Sequence, residues 1–177
     1  MNYRIVKTPP FKVFGLEGVV STIEPTKYKG EIWSDFKNDK TGSEYEQLFL
    51  DAGEAKPSFF DAMFIRSDIS RINAMSNYKQ IDETTYGYML WSFVTPQSIT
   101  DNYQIIDIPA STWAVFPSDL NDDRDVGAIW KELYTRFYAE WLPSSEYEKA
   151  DSPEFEIYRD IPPKTCCELW MPIIKRD

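Results

Sequence analysis

One carboxylate inside an apolar segment is the residue of this sequence best placed to do chemistry. Glu168 lies within residues 166–174, and the alternation of an extended strand puts it on the same face as Trp170. A buried carboxylate needs a partner, because an ionised group without one is costly to remove from water. Two interpretations stay open. Glu168 either reaches solvent or pairs with a Lys or Arg, or it is the anion of a site for a cationic or hydrogen-bond-donating ligand.

Several other kinds of functional site are excluded by the residue types. The chain has no histidine, so Ser-His-Asp and Cys-His arrangements and histidine-based metal sites are ruled out. It has no glycine-rich phosphate loop, and the acidic residues 119–125 lack the ligand spacing of a calcium loop. We therefore expect neither a metal nor a cofactor.

The composition indicates one globular domain with a ligand pocket. The chain has 177 residues without a long flexible linker, so we expect a single domain over residues 1–177. Aromatic residues make up 16% of the sequence, more than an ordinary core requires. The surplus favours a pocket for a small organic molecule.

The net charge and the two cysteines indicate which classes of partner the chain can bind and in which cellular compartment it is expected. The net charge of −10 repels nucleic-acid backbones and anionic lipids, so we expect no nucleic acid to bind this chain itself and no membrane association. Cys166 and Cys167 are adjacent in a predicted strand, where their side chains diverge and do not pair. No signal peptide or apolar span is recognisable. These features predict a cytoplasmic protein whose oligomeric state the sequence does not decide.

Periodicity predicts an α+β order of elements. Helices are expected within residues 26–38, after a capping box formed by Ser43 and Glu46, and over 126–141, where Pro143 ends the helix. Tyr134 and Tyr138 flank the apolar stripe of that last helix and are interpreted as core edge. Strands are expected over residues 3–7, 11–20, 84–94, 103–108, 113–116 and 166–174, and residues 155–158 predict a strand with one exposed face. The pattern of residues 53–78 leaves their structure open.

The second half of the sequence repeats the first. Tyr103 follows Tyr3 by 100 residues, each ahead of a strand that ends at a proline. Trp130 matches Trp33 in the helices, and Trp170 matches Trp91 in the closing strands. This predicts pseudo-repeat halves of about 1–97 and 101–177. The first half is about 20 residues longer between helix and closing strand, and an insertion of that kind beside a site could serve as a lid.

Several segments together resemble a known family. They are Tyr103 with Ile108-Pro109-Ala110, Ile129-Trp130-Lys131, Trp141-Leu142-Pro143-Ser144, Pro153-Glu154-Phe155-Glu156-Ile157-Tyr158 and Glu168-Leu169-Trp170-Met171-Pro172-Ile173. The combination resembles the gyrase-inhibitor-like (GyrI-like) small-molecule-binding domain, which is also the effector-binding domain of AraC-type transcription regulators. The resemblance implies a tandem pair of β-α-β-β units, with two main helices on one face of an antiparallel sheet and a ligand cleft between the units.

The resemblance also suggests site residues. Members of the family hold a carboxylate on the closing strand at the floor of an aromatic cleft, which corresponds here to Glu168. The repeat then places Trp170 and Trp91 as aromatic walls, with Met89 opposite Glu168. Weaker candidates for the cleft are Tyr88, Trp113, Phe11 and Tyr147.

Two classes of function are compatible with these features. The favoured one is a binding module for a lipophilic or cationic organic ligand, acting as a sensor or as the effector domain of a regulator. No segment predicts a helix-turn-helix, so a DNA-binding region would have to precede Met1. The alternatives are a hydrolase that uses Glu168 as general base, and a gyrase-inhibitor-like modulator of another protein.

Overall fold

One antiparallel sheet dominates the structure. The computed structural model describes residues 2–38, 43–64, 68–119, 124–159 and 166–177. Over these residues the strands are β1 (Arg4–Thr8), β2 (Phe11–Ser21), β3 (Asn73–Gln80), β4 (Thr85–Phe93), β5 (Gln104–Ile108), β6 (Ser111–Pro117), β7 (Tyr147–Lys149), β8 (Glu154–Arg159) and β9 (Cys166–Lys175). Their order in the sheet is β1-β6-β9-β8-β3-β4-β2-β5, with β7 paired to β9.

The helices begin and end where the sequence provides caps and breakers. They are α1 (Pro25–Lys37), α2 (Glu44–Ala52), α3 (Phe60–Met63) and α4 (Val126–Thr135), which a π-helical turn (Arg136–Trp141) and a 3-10 turn (Leu142–Ser144) extend. Ser43 Oγ accepts a hydrogen bond from the Glu46 amide at 3.0 Å, as the predicted cap requires. The described part of the unassigned stretch 53–78 contains α3 and most of β3.

The two halves exchange their first strands. β1 of the first half pairs with β6 of the second, so that Arg4 lies opposite Val115. β5 of the second half pairs with β2 of the first, so that Gln104 lies opposite Gly15. Both pairs follow the 100-residue repeat, which gives the two β-α-β-β units β2-α1-β3-β4 and β6-α4-β8-β9.

The units meet at the middle of the sheet, between β3 and β8. These strands pair over only three positions, from Ala74 opposite Glu156 to Ser76 opposite Glu154. Beyond Ser76, β3 is bulged, and Asn77 has a φ of 58°. Asn tolerates this left-handed conformation better than most residues, and a bulge locally ends regular pairing. The seam is short because β8 begins at Glu154, opposite Ser76, and Asn77 lies just beyond its end.

Each face of the sheet carries its own core. On one face, α1 and α2 cover an apolar cluster that includes Leu48 and Leu90, and α4 covers a second one that includes Leu133 and Leu169. The opposite face holds a larger aromatic cluster, against which Phe60 and Met63 of α3 pack. The α3 part of the insertion thus lies on the face away from α1 and α4, whereas α2 packs on the same face as α1.

Candidate ligand-binding site

A cleft of about 540 Å³ opens between α1 and α4, above the seam of β3 and β8. Neither helix covers this part of the sheet, because each packs on the strands of its own unit. The volume lies within the range of pockets for small organic ligands. The walls and floor are rich in aromatic side chains, which are Trp33, Tyr86, Tyr88, Trp130, Tyr134, Tyr138 and Tyr158.

Glu156 lies at the floor of this cleft and is 1% exposed. Its carboxylate accepts a hydrogen bond from Tyr88 Oη at 2.7 Å and from Tyr134 Oη at 3.2 Å. Tyr158 Oη donates from 3.5 Å, and Lys29 Nζ lies 2.5 Å from Oε1. Four donors from two helices and two strands thus converge on one buried carboxylate.

The two repeat-related tryptophans hold two of the three tyrosines that contact Glu156. Trp33 Nε1 donates to Tyr88 Oη at 3.1 Å, and Trp130 Nε1 donates to Tyr158 Oη at 3.1 Å. Each hydroxyl accepts from an indole, and therefore has its own proton free for Glu156. Trp33 and Trp130, which correspond in the sequence repeat, thus make the hydroxyls of Tyr88 and Tyr158 donate to Glu156.

Glu154 is a second buried carboxylate of the cleft, two residues before Glu156 on the same face of β8. It accepts from Tyr138 Oη at 3.2 Å and from Ser76 Oγ at 3.4 Å. Lys149 Nζ lies 3.2 Å from its Oε1. Both carboxylates on the floor therefore have a lysine partner.

Lys29 places its ammonium where a bound cation would be expected. Besides its contact with Glu156, Nζ lies 5.3 Å from the ring centroid of Tyr88 and 4.9 Å from that of Tyr134. Burial by itself lowers the pKa of Lys29, but the charge of Glu156 and the hydrogen bond to it raise that pKa by more, so the net shift is upward. Lys29 stays protonated in the cleft.

The π-helical turn after α4 sets the spacing of the two tyrosines in the cleft wall. Tyr134 lies in α4 and Tyr138 in the π turn, and their rings stack in parallel with centroids 6.5 Å apart. A π turn widens the helix locally and is frequent at functional sites. It allows both hydroxyls to reach β8, one at Glu156 and the other at Glu154.

Burial next to carboxylates makes the central tyrosines poor acids. Burial, and then the nearby charge of Glu156, raise the pKa of Tyr88, Tyr134 and Tyr158 well above the usual value. A group whose pKa is raised on folding stabilises the fold fully below its unfolded-state pKa, and this contribution is lost as pH rises through the folded pKa. The phenols therefore stay protonated hydrogen-bond donors at neutral pH.

We expect the free energy of unfolding to fall as pH rises above about 10, where unfolded-state tyrosines ionise. The measurement is urea denaturation at several alkaline pH values, with phenolate absorbance recorded alongside. Tyr88, Tyr134 and Tyr158 should remain unionised until the protein unfolds. Ionisation of all 11 tyrosines with ordinary pKa values near 10 while the fold stays intact would contradict the expectation.

Glu168 lies on the other face of the sheet. In the pairing of β8 with β9 it is opposite Ile157, whereas Glu156 is opposite Leu169. Arg4 donates to both of its oxygens, at 3.1 and 2.8 Å, and Trp170 Nε1 donates at 3.0 Å. This is the ion-paired alternative that the sequence left open. A ligand-binding role for Glu168 stays a prediction without support from the cleft between α1 and α4.

The other predicted site residues divide between three places. Tyr88 lines the cleft. Tyr147 stacks on Trp141, with centroids 5.9 Å apart, beside β9 and outside the cleft. The remaining five are buried in the aromatic cluster of the opposite face, and they are Trp170, Trp91, Met89, Trp113 and Phe11. Strand phase correctly places Glu168, Trp170 and Trp91 on one face, but that face is not the one that opens between the helices.

Most residues of this cleft are not among the site residues that the sequence predicts. The alternation of residues 155–158 predicts a strand with one exposed face, but β8 is buried on both faces because Glu154 and Glu156 are enclosed by tyrosines. The apolar stripe of the last helix predicts Tyr134 and Tyr138 at the core edge, but both line the cleft. The available signal was the alternation of Glu154, Glu156 and Tyr158, which puts two carboxylates and a phenol on one face.

Two absences apply to the described residues. Among them, no helix combines the length and apolar character needed to cross a membrane. The same part of the chain contains no group of three or more Cys, Asp or Glu side chains arranged to hold a metal ion.

Comparison with known proteins identifies relatives over nearly the whole chain. A family model described as "Cass2: Integron-associated effector binding protein" matches residues 4–173. The structure of SAV2435 bound to tetraphenylphosphonium superposes with a TM-score of 0.68 at 16% identity, covering 98% of this chain and 94% of the other. A Staphylococcus aureus MU50 protein assigned to transcription regulation gives a TM-score of 0.67 at 16% identity, with 98% of both chains covered. At such identities these structures establish a shared fold.

A curated relative matches a shorter region. It is the DNA gyrase inhibitor of Yersinia enterocolitica serotype O:8 / biotype 1B, which is 33% identical over 66 residues. The match spans 37% of this chain and 39% of the length of that relative. The expected α+β architecture, with tandem β-α-β-β units and a GyrI-like fold, is confirmed by the structure and by these relatives.

Proposed function

Because this chain belongs to the Cass2 family of integron-associated effector-binding proteins, we propose that its cleft binds a lipophilic organic cation as an effector. Glu156 is the anion that the bound cation faces. The observation that carries the proposal is a carboxylate, 1% exposed, at the floor of an open cleft with aromatic walls. We further propose that residues 1–177 act as one effector-binding domain.

The chemistry of the cleft suits a cation with a large apolar surface. Aromatic faces attract cations, by about 0.5–2 kcal/mol for each well-placed ring. A buried carboxylate adds charge-assisted attraction, and the water-poor surroundings strengthen it. Apolar groups of the ligand gain about 25 cal/mol for each Å² that the cleft removes from water. Tetraphenylphosphonium, which SAV2435 binds, has both properties.

A regulatory role follows from the same proposal. The cleft lies between two units whose strands pair directly at the short β3–β8 seam, so a ligand that contacts α1 and α4 can change how the units pack. A regulator needs this kind of response when an effector binds. The similarity to a protein of transcription regulation supports this assignment.

The experiment is a titration of the protein with tetraphenylphosphonium and with tetraphenylborate, an anion of the same shape. Trp33 and Trp130 both line the cleft, so quenching of tryptophan fluorescence should report binding. We expect saturable quenching by the cation and at least about tenfold weaker binding of the anion, a difference of ~1.4 kcal/mol. Equal binding of both ions, or of neither, would contradict the proposal.

The same samples separate a sensor from a hydrolase. A lipophilic cation that carries a hydrolysable ester is added to a further sample. After incubation with the protein, the amount of this ester that remains is measured by mass spectrometry. An effector-binding domain returns the compound unchanged, so we expect no loss above the rate in buffer. Consumption of the ester that depends on the protein would favour the hydrolase alternative.

A further inference from the structure

We infer that Lys29 is a tethered internal competitor that determines which cations the cleft accepts. The inference rests on the proposed function. Its ammonium already has both of the partners that a cationic ligand would use, since it lies 2.5 Å from Glu156 Oε1 and within 5.3 Å of the Tyr88 and Tyr134 ring centroids. An entering cation must displace it.

The position of Lys29 permits this displacement. It lies in the second turn of α1, and its side chain retains 16% exposure at the wall of the cleft. A lysine side chain has four rotatable bonds and a strongly hydrated head group, so it can move to water without a change in the backbone. Tyr88, Tyr134 and Tyr158 would still donate to Glu156 while Lys29 is displaced.

The exchange has a consequence for specificity. Because the bound cation takes the place of the Lys29 ammonium at Glu156, one set of ion-pair and cation–π contacts replaces another, and little electrostatic free energy is gained. The tether gives Lys29 an effective concentration on the order of millimolar, against which a free cation competes. Net binding must then come from apolar surface that Lys29 lacks. The wild-type cleft therefore rejects small hydrophilic cations and accepts lipophilic ones.

The ion pair between Lys149 and Glu154 keeps Glu154, the second carboxylate of the cleft, out of this exchange. Glu154 has Lys149 and Tyr138 as partners, and Lys149 does not line the cleft. Loss of Lys29 from the floor thus leaves one uncompensated carboxylate, and a single positive charge restores the balance. The site is matched to monocations.

The experiment compares wild type with Lys29→Gln in titrations with tetraphenylphosphonium and with tetramethylammonium. Without the competitor, we expect the affinity for tetraphenylphosphonium to rise about tenfold. Tetramethylammonium, which the wild-type protein should not bind at millimolar concentration, should bind Lys29→Gln measurably. An affinity for tetraphenylphosphonium that is unchanged or weaker in Lys29→Gln would overturn the inference.

Two variants serve as controls. Lys27→Gln removes the same charge from the same helix at an exposed position, so it should bind both cations as wild type does. Lys29→Arg keeps a cation beside Glu156 and should not gain the tenfold increase. If Lys27→Gln tightened binding as much as Lys29→Gln, net charge would explain the effect and the inference would fail.

Amine labelling tests the displacement directly and in the wild-type protein. Acetic anhydride should modify Lys29 slowly without ligand and at least about threefold faster with saturating tetraphenylphosphonium, because the ammonium moves to solvent, whereas Lys27 should not change. Slower labelling of Lys29 with ligand would overturn the inference. Failure of any cation to bind wild type or Lys29→Gln would refute the proposed function as well, whereas binding without faster labelling refutes the competitor role alone.

Discussion

Glu156→Gln is expected to weaken the binding of tetraphenylphosphonium by at least about tenfold, or ~1.4 kcal/mol. Gln keeps the shape: its amide oxygen can still accept from Tyr88, and its amide nitrogen can donate to the hydroxyl of Tyr134, so the walls of the cleft stay in place. It removes the negative charge and leaves Lys29 uncompensated, and the entering cation is then repelled instead of attracted. The measurement is the dissociation constant from tryptophan fluorescence.

Glu168→Gln is the matched control, since it changes a second buried carboxylate on the neighbouring strand. Glu168 faces the opposite side of the sheet, where Arg4 and Trp170 surround it. Its replacement should leave the dissociation constant within about twofold of wild type, a difference of ~0.4 kcal/mol. If Glu168→Gln lost binding and Glu156→Gln kept it, the family-based assignment of Glu168 would be right, and the cleft between α1 and α4 would not be the binding site.

Glu168→Ala is expected to destabilise the fold by about 3 kcal/mol, because it leaves Arg4 partly buried without its partner. Arg4 makes a two-pronged contact with Glu168, and its guanidinium carbon lies 5.5 Å from the ring centroid of Trp170. This contact connects β1, the strand contributed by the first half, to β9 of the second. Urea denaturation measures the loss.

An exposed ion pair provides the control for stability. Lys12 and Asp107 also connect the two halves, through β2 and β5, but their side chains are 57% and 79% exposed. Exposed pairs contribute little to stability, so Asp107→Ala should unfold at nearly the urea concentration of wild type. Equal destabilisation by Glu168→Ala and Asp107→Ala would contradict the structural role assigned to Glu168.

Glu168 and Glu156 show what strand periodicity can and cannot predict. Alternation correctly groups Glu168 with Trp170, and it would equally group Glu156 with Tyr158. Periodicity separates the two faces of a strand but does not say which face opens to solvent. That depends on where α1 and α4 pack, and this packing is a contact between residues distant in sequence.

Lys29 had no recognisable signal in the sequence. It is one of several polar residues in the first turns of α1. Its role arises because the helix lies across the seam from α4, which brings its ammonium to Glu156, 127 residues later in the chain. The residue pattern of one helix cannot predict a contact with a residue so distant in the sequence.

The sequence alone determined most of the elements, although not α3, β3 or β7, together with the internal repeat and the family. These follow from local rules: apolar periodicity, caps such as Ser43, breakers such as Pro143, and the matched Trp33 and Trp130. Tertiary structure decided which carboxylate lies in the cleft and which is ion-paired in the core. The physical reason is that the environment of a buried charge is set by partners such as Arg4 and Lys29, which only the folded chain brings within hydrogen-bond distance.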